Sequence, residues 1–595
     1  MTRRAHRSRA WRGPALAIAL AGGLAGPALA QNAADEAARA ARQFQSQQAE
    51  QERLRQLEQQ QRANRAPAGD VPAPPQPESA AKDERCFNIG TITVGGVHLV
   101  PEADVRATVA PWEGKCLGLT EINNVLKALT FLYVKRGYVA ARAYLQEQDL
   151  SQGKLSIAMV EGKLEGIHLN GQGDDHDRVI ASAFPGMTGR PVNLRDVEQG
   201  LDQINRLHSN SATIAMAAGS QPGDTVLEVT NKPDNRVRVT LGADNLGATV
   251  SGIYQSRINV ALDNVLGSND AWQFGYQRSN SRNPLFMSSE RPNSDTINAS
   301  VSVPYGYWTF GLDSLWSHYH SSVPGQDSII NTSGGSQLIS PYLSWVFHRD
   351  QVSKTSLTGR LTRKDTVNDI LGSRIDVASR TLTIAALELN HSRQLWGGQA
   401  SASFGYQRGL PIFGAFDDAS AAAGTPKSEF SKFTTSLSYT RPFSGGTVTP
   451  IFSTYVLGQW TPDRLFGTEQ MSFGGWASVR GVQDSILFAD KGALARTELS
   501  LLLPASEQPT AAKLIGRVEP YVALDVGHAA AFTDTTATGN SSNGGTVVGA
   551  VLGLRNRAGR FTFDISYARL ISEPTLPAAG SQSRSLVQVG LTIGF

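Results

Sequence analysis

The 595-residue chain has only two cysteines, Cys86 and Cys116, and no run of eighteen apolar residues beyond its N-terminus. The second absence excludes a helical membrane protein, whose spans need about 20 consecutive apolar residues. A soluble multidomain protein and a barrel that crosses with strands both stay open. No GxxxxGK[ST] loop is present to cradle a nucleotide, and no GxSxG to raise a serine nucleophile. The ten histidines are scattered; His318 and His320 share a strand face but have no evident third ligand. No catalytic centre, metal or cofactor is therefore expected, and the chain reads as a non-enzyme.

The N-terminus sets the compartment. Arg3, Arg4, Arg7, Arg9 and Arg12 precede the apolar run PALAIALAGGLAGPALA, which ends on Ala28-Leu29-Ala30, a small-x-small cleavage pattern. Residues 1–30 thus read as a secretory signal peptide. Its removal takes five arginines and no acid from a net charge of +3, leaving −2, so no nucleic-acid footprint is expected. In an exported chain, with no CxxC and no companion histidines, Cys86 and Cys116 read as a disulfide.

Residues 31–65 are rich in Ala, Gln, Glu and Arg without glycine or proline, which favours a helix. Phe44, Leu54 and Leu57 are its only large apolar residues, so it has almost no core face. At roughly 50 Å it would overrun a bilayer core of about 30 Å, and it could fill a polar pore as a plug. Residues 66–84 form a proline-rich linker. Two small α+β units follow, at 85–168 and 169–233, each with strand-like and helix-like stretches such as LTEINNVLKALTFLYVKRG and VNLRDVEQGLDQINRLH.

From 234 to 595 the text alternates. Val237, Val239 and Leu241 alternate with Arg238 and Thr240; Ile297, Ala299 and Val301, and Phe561, Phe563 and Ile565, repeat the period of two. Sixteen antiparallel strands with connections would use about 22 residues each, as a membrane barrel requires. The last segment, LVQVGLTIGF, is an unbroken apolar row from Val587 to Phe595 that ends on an aromatic. A closing barrel strand removes the exposed edge such a row would otherwise present. With the leader, this makes a transmembrane β-barrel in a bacterial outer membrane the expected fold.

The segment GKCLGLTEINNVLKALTFLYVKRGYVAARAYLQEQDLSQGKLSIAMVEGKLEGI, Gly114 to Ile167, resembles the first POTRA domain of two-partner secretion transporters of the ShlB/FhaC type. DNLGATVSGIYQSRINVALDNVLGSNDAW resembles the opening of their barrel, and Val479-Arg480-Gly481 matches the tip motif of a long barrel loop. The resemblance implies a pore-filling helix, a linker, two periplasmic POTRA domains and a barrel that secretes one large exoprotein without nucleotide hydrolysis. It also implies that the loop around 470–490 folds into the barrel, where Arg480 meets an acid on the wall. Asp525, in YVALDVGHA, fits that acid; Glu498 is the second choice. Val482 stands where the family commonly has an aromatic.

A client exoprotein held by the POTRA domains, outer-membrane lipid and the barrel assembly machinery are the partners this reading implies. Extended clients add to strand edges, and the strand Leu155 to Val160 and helix Ile122 to Arg136 are candidate elements for contact. The nearest alternative is a factor that inserts other barrels; a passive porin would need neither the two periplasmic units nor the VRG loop.

Overall fold

The computed structural model describes residues 43–44, 86–173, 177–221, 223–282, 290–324, 329–420, 424–530, 544–574 and 583–595. The expected leader and linker lie outside the described residues, as does all of the expected helix except Gln43 and Phe44, which are helical.

The first α+β unit is built on helix Leu119–Lys135, whose Ile122, Val125, Leu129 and Tyr133 recur at helical spacing and are buried. Glu121 starts the helix by accepting from the Gly118 N–H at 2.8 Å. This face packs on Ile92, Leu155, Ile157 and Met159 of a sheet ordered Thr91–Gly95, Lys154–Val160, Arg142–Leu145. A separate pair, Phe87–Ile89 with Lys115–Leu117, carries the disulfide between Cys86 and Cys116. Closing a loop of 30 residues stabilises by roughly 3–4 kcal/mol through the unfolded chain. Reduction should therefore lower the melting temperature of this unit and slow its band on a denaturing gel; identical migration with and without reductant would refute the bond in the mature protein.

The second unit begins earlier than the sequence suggests. Strand Leu164–Leu169, expected to end the first unit, pairs in parallel with Thr225–Thr230, and Leu164 and Ile167 lie in the second core with Ile180, Phe184 and Ile204. The break falls at Glu161-Gly162-Lys163, where a Cβ on Gly162 would lie 2.4 Å from the Gly223 carbonyl. Only a bare backbone passes there, so the chain turns from one sheet into the next. The sheet order is Gln172–Gly173, Leu164–Leu169, Thr225–Thr230, Thr213–Ala218, with helices Arg178–Ala183 and Leu194–Asn205 against it.

Sixteen antiparallel strands, from Val237–Asp244 to Ser585–Gly594, then close into a barrel. Closure pairs Thr240–Asp244 with Gly590–Gly594, and the Phe595 N–H donates to the Val239 carbonyl at 2.9 Å. The terminal aromatic row thus lies on a paired strand. Alternation decides the faces: Val522 and Leu524 are exposed outward on strand Gly516–Ala529, while Tyr521, Ala523 and Asp525 are buried inward. Trp308 stacks on Trp345 at the end that carries the periplasmic units, and Phe433 lies against Trp460 at the other. Aromatic belts at both rims are what two membrane interfaces select. Among the described residues no helix is long and apolar enough to cross a membrane.

Candidate functional site

Between strands Thr449–Trp460 and Gly492–Leu502 the chain does not stay at the rim. Residues 461–491 fold back into the lumen as a hairpin, Met471–Phe473 paired with Leu487–Ala489. Its apolar side chains, Phe473, Val479, Val482 and Leu487, pack on Leu494, Val547 and Leu570 of the wall. Apolar contact inside a polar lumen gives the loop one seat rather than many.

At the tip, Arg480 and Asp525 come together. The guanidinium donates from Nε to Asp525 Oδ2 at 2.7 Å and from Nη2 to Oδ1 at 2.8 Å, and the Arg480 backbone N–H adds a third bond at 3.1 Å. Arg480 is 5% exposed and Asp525 0%. This fork geometry is charge-assisted and specific to arginine. Arg496 also reaches Asp525 Oδ1, at 3.6 Å. Glu498, the second-choice partner, instead joins Arg555, which also meets Glu519. A wall strand two places along, Gly545–Ala558, gives Glu498 a cation in place of the one at the loop tip.

Two glycines let the tip lie flat on the wall. Gly481 has φ +122°, and a Cβ there would come 2.4 Å from the Leu570 nitrogen. A Cβ on the wall's Gly549 would lie 1.9 Å from the Arg480 carbonyl. Val482, in the aromatic's usual place, is 1% exposed, so the seat beneath it is filled.

Three further anchors were not read from the sequence. Glu469, near the base of the loop, is buried between Lys364 and Lys432, each at 2.8 Å. Asp484 accepts from the Thr249 N–H at 2.9 Å and from its hydroxyl, and Gln483 donates to the Asn245 carbonyl at 3.2 Å. Asn245 in turn accepts from the Val589 N–H and donates to the Val587 carbonyl, both at 2.8 Å. The loop is thereby fastened to the strip where the first and last strands meet. A lone charged residue in the stretch LFGTEQMSF was the one available signal for the first of these anchors.

The second periplasmic unit docks directly on the barrel rim. Gln199 and Gln203 donate to the Gly306 carbonyl at 3.2 and 2.6 Å. Tyr307 donates to Asp196 at 2.5 Å, and burial together with that carboxylate pushes its phenol pKa upward. Arg349 is held by Glu198 at 3.3 Å and by Asp202. Asn269 donates to the Val179 carbonyl and Ser182 hydroxyl at 2.8 and 2.9 Å. Arg349→Ala removes the cation that Glu198 and Asp202 share across this joint, leaving Glu198 to Arg195 at 2.8 Å and Asp202 to Lys354 at 3.4 Å. It should raise deuterium uptake along Leu194–Asn205 at least several-fold, with the barrel's heat resistance unchanged; unaltered uptake would mean the joint does not depend on this cation.

Of the N-terminal segment, Phe44 packs on the lumen-facing Tyr319 with ring centroids 4.6 Å apart, and Gln43 lines the lumenal cavity. The first-unit elements expected to meet a client are used otherwise. Strand Lys154–Val160 is central in its sheet, and the buried face of helix Leu119–Lys135 fills its own core. Among the described residues the edges of the two sheets are Thr91–Gly95 and Arg142–Leu145, the latter with Tyr144 and Leu145 exposed, and, in the second unit, the short Gln172–Gly173 and the longer Thr213–Ala218.

Comparison with known proteins places this architecture. Residues 223–556 match the model of haemolysin secretion/activation proteins ShlB/FhaC/HecB, residues 87–162 an ShlB-type POTRA domain, and residues 163–218 a POTRA domain. The outer membrane transporter CdiB of Escherichia coli is 35% identical over 82% of this chain and 79% of its own length. The hemolysin transporter protein ShlB of Serratia marcescens is 31% identical over 72% of this chain and 74% of its own. The solved structure of CdiB from Escherichia coli superposes with a TM-score of 0.81 at 33% identity, covering 94% of this chain and 98% of that one.

Proposed function

Because this chain belongs to the family of ShlB/FhaC/HecB haemolysin secretion/activation proteins, we propose that its inward-folded loop is the removable seal of a protein-conducting pore. The chain is a two-partner secretion translocator of the outer membrane, with its POTRA domains in the periplasm. Its family transports large exoproteins and is not a family of enzymes.

The observation that carries the seal is the forked Arg480–Asp525 pair, which ties the tip of a loop from one part of the barrel to a strand that the loop does not adjoin in pairing. A client entering from the periplasm has to lift that tip or pass beside it. Edge strands Arg142–Leu145 and Thr213–Ala218 are the surfaces to which an extended client would add, since their outer backbone groups have no strand neighbour. The outward apolar side chains contact outer-membrane lipid, and the terminal strand ending on Phe595 presents the signal read by the barrel assembly machinery. No nucleotide drives the passage; folding of the client outside, which buries its apolar surface, draws it through.

The test is co-expression with a candidate large exoprotein from a neighbouring reading frame, assayed in the medium. Secretion should vanish when this chain is deleted. Undiminished secretion would refute the function for that client, and efficient release of a client unable to fold would refute the driving force.

A further inference from the structure

The lumen wall has two unlike sectors. On strands Gly492–Leu502, Gly516–Ala529 and Gly545–Ala558 the inward charges are committed to one another: Asp525 to Arg480 and Arg496, Arg555 to Glu498 and Glu519, Arg557 to Glu519. On strands Tyr254–Asp263, Ala271–Asn280 and Asn293–Tyr305 the inward positions carry a cluster of carboxamides beside a single cation, Arg257. Asn259, Gln273, Gln277 and Asn298 all line a cavity of about 570 Å³ in the lumen. Asn259 and Asn298 lie opposite Gly275 in the pairing, and a Cβ on that glycine would sit 2.7 and 2.5 Å from their amide oxygens. Gln273 and Gln277 flank the same glycine two residues either way. None of these four amides is hydrogen-bonded to a protein group among the described residues.

The geometry points to this carboxamide sector as the track along which an extended, unfolded polypeptide passes the barrel, an inference that rests on the secretion reading above. An amide side chain both donates and accepts, so it pairs with any peptide backbone whatever the side chains attached to it. Exchanging a bond to water for a bond to a peptide group changes the free energy little, so each contact forms and breaks readily. A charged wall would hold opposite charges and repel like ones; an apolar wall would retain apolar segments. Two cations line the same cavity: Arg257, within this sector and paired to Asp244 at 2.9 Å, and Arg238 on the adjoining first strand. Gln43, from the N-terminal segment, already lines the same cavity, so the track accommodates polypeptide.

The experiment places a photoreactive amino acid at Gln273, at Gln277 and, on the charged sector, at Glu498. The probe is an exoprotein that this chain has been shown to secrete in the test above, co-expressed with a tightly folded domain at its C-terminus so that it halts in the pore. Crosslinks to the exoprotein at Gln273 and Gln277 that exceed those at Glu498 at least severalfold are expected. Equal or stronger crosslinking at Glu498, or none at any position, overturns the track. The untagged exoprotein's release by the parent chain in the same cells reports on the secretion reading separately. In a second arm, Gln273→Leu with Gln277→Leu and Asn298→Leu should reduce release about tenfold at equal barrel yield. Gln273→Asn with Gln277→Asn should restore most of it; unchanged release in the leucine variant refutes the inference.

Discussion

Asp525→Ala should abolish secretion and impair it more than Arg480→Ala does. The two changes look equivalent from the pair alone, yet they leave different residues behind. Removing Asp525 strands the buried Arg480 and takes a carboxylate from Arg496, which keeps its bonds to the Trp476 and Ala477 carbonyls, whereas removing Arg480 leaves Asp525 with Arg496 still 3.6 Å away. Breaking a buried pair by deleting one partner costs about 3–5 kcal/mol, most of it from the uncompensated charge that remains. A loop held by one seat cannot absorb that and stay seated. The double variant should fall well short of the sum of the two single losses, because the second substitution removes the stranded charge created by the first. Exoprotein in the medium, normalised to folded barrel in the membrane, gives all four corners of this cycle. Strict additivity would show that the two residues act separately, and equal single effects would show that Arg496 is not a second partner.

Gly549→Ala and Gly481→Ala should unseat the same loop without touching a charge. At Gly549 one methyl group would lie 1.9 Å from the Arg480 carbonyl, and the obstacle is backbone that cannot swing aside. At Gly481 the new side chain meets the Leu570 backbone at 2.4 Å and also adopts φ +122°, a conformation costing on the order of 1–3 kcal/mol for a residue with a Cβ. Both variants should retain barrel yield, open the lumen to bulky antibiotics that the parent excludes, and show larger single-channel conductance. Antibiotic resistance and conductance equal to the parent's would mean that close contact between the tip and the wall does not set the seal.

The barrel was legible because its chemistry is periodic. Alternation from Val237 onward sorts side chains to lipid and lumen without any knowledge of which strand pairs with which. The junction of the periplasmic units was harder, since KLSIAMVEGKLEGIHL reads as one strand-rich run and the turn within it depends on Gly162 passing close to Gly223. Arg480 and Asp525 were reached through a motif, and their 45-residue separation gave no physical hint that they meet. Glu469 with Lys364 and Lys432 could not be found that way. The three residues come from a loop and two strands that do not pair with each other, and only closure of the barrel brings them within reach. Glu498 illustrates the converse: its inward face was readable, but its choice of Arg555 depends on the register of neighbouring strands.

The docking of helix Leu194–Asn205 gives the rim a compass bearing. Its bonds, with those of helix Arg178–Ala183, reach the connections near Asn269, Gly306 and Arg349, all within the first six strands, so the periplasmic arm is clamped under one arc of the opening. Such a clamp works as a fixed spout: a chain handed upward enters off-centre and from one compass point, and the pore behaves as a sided channel although its outline is round.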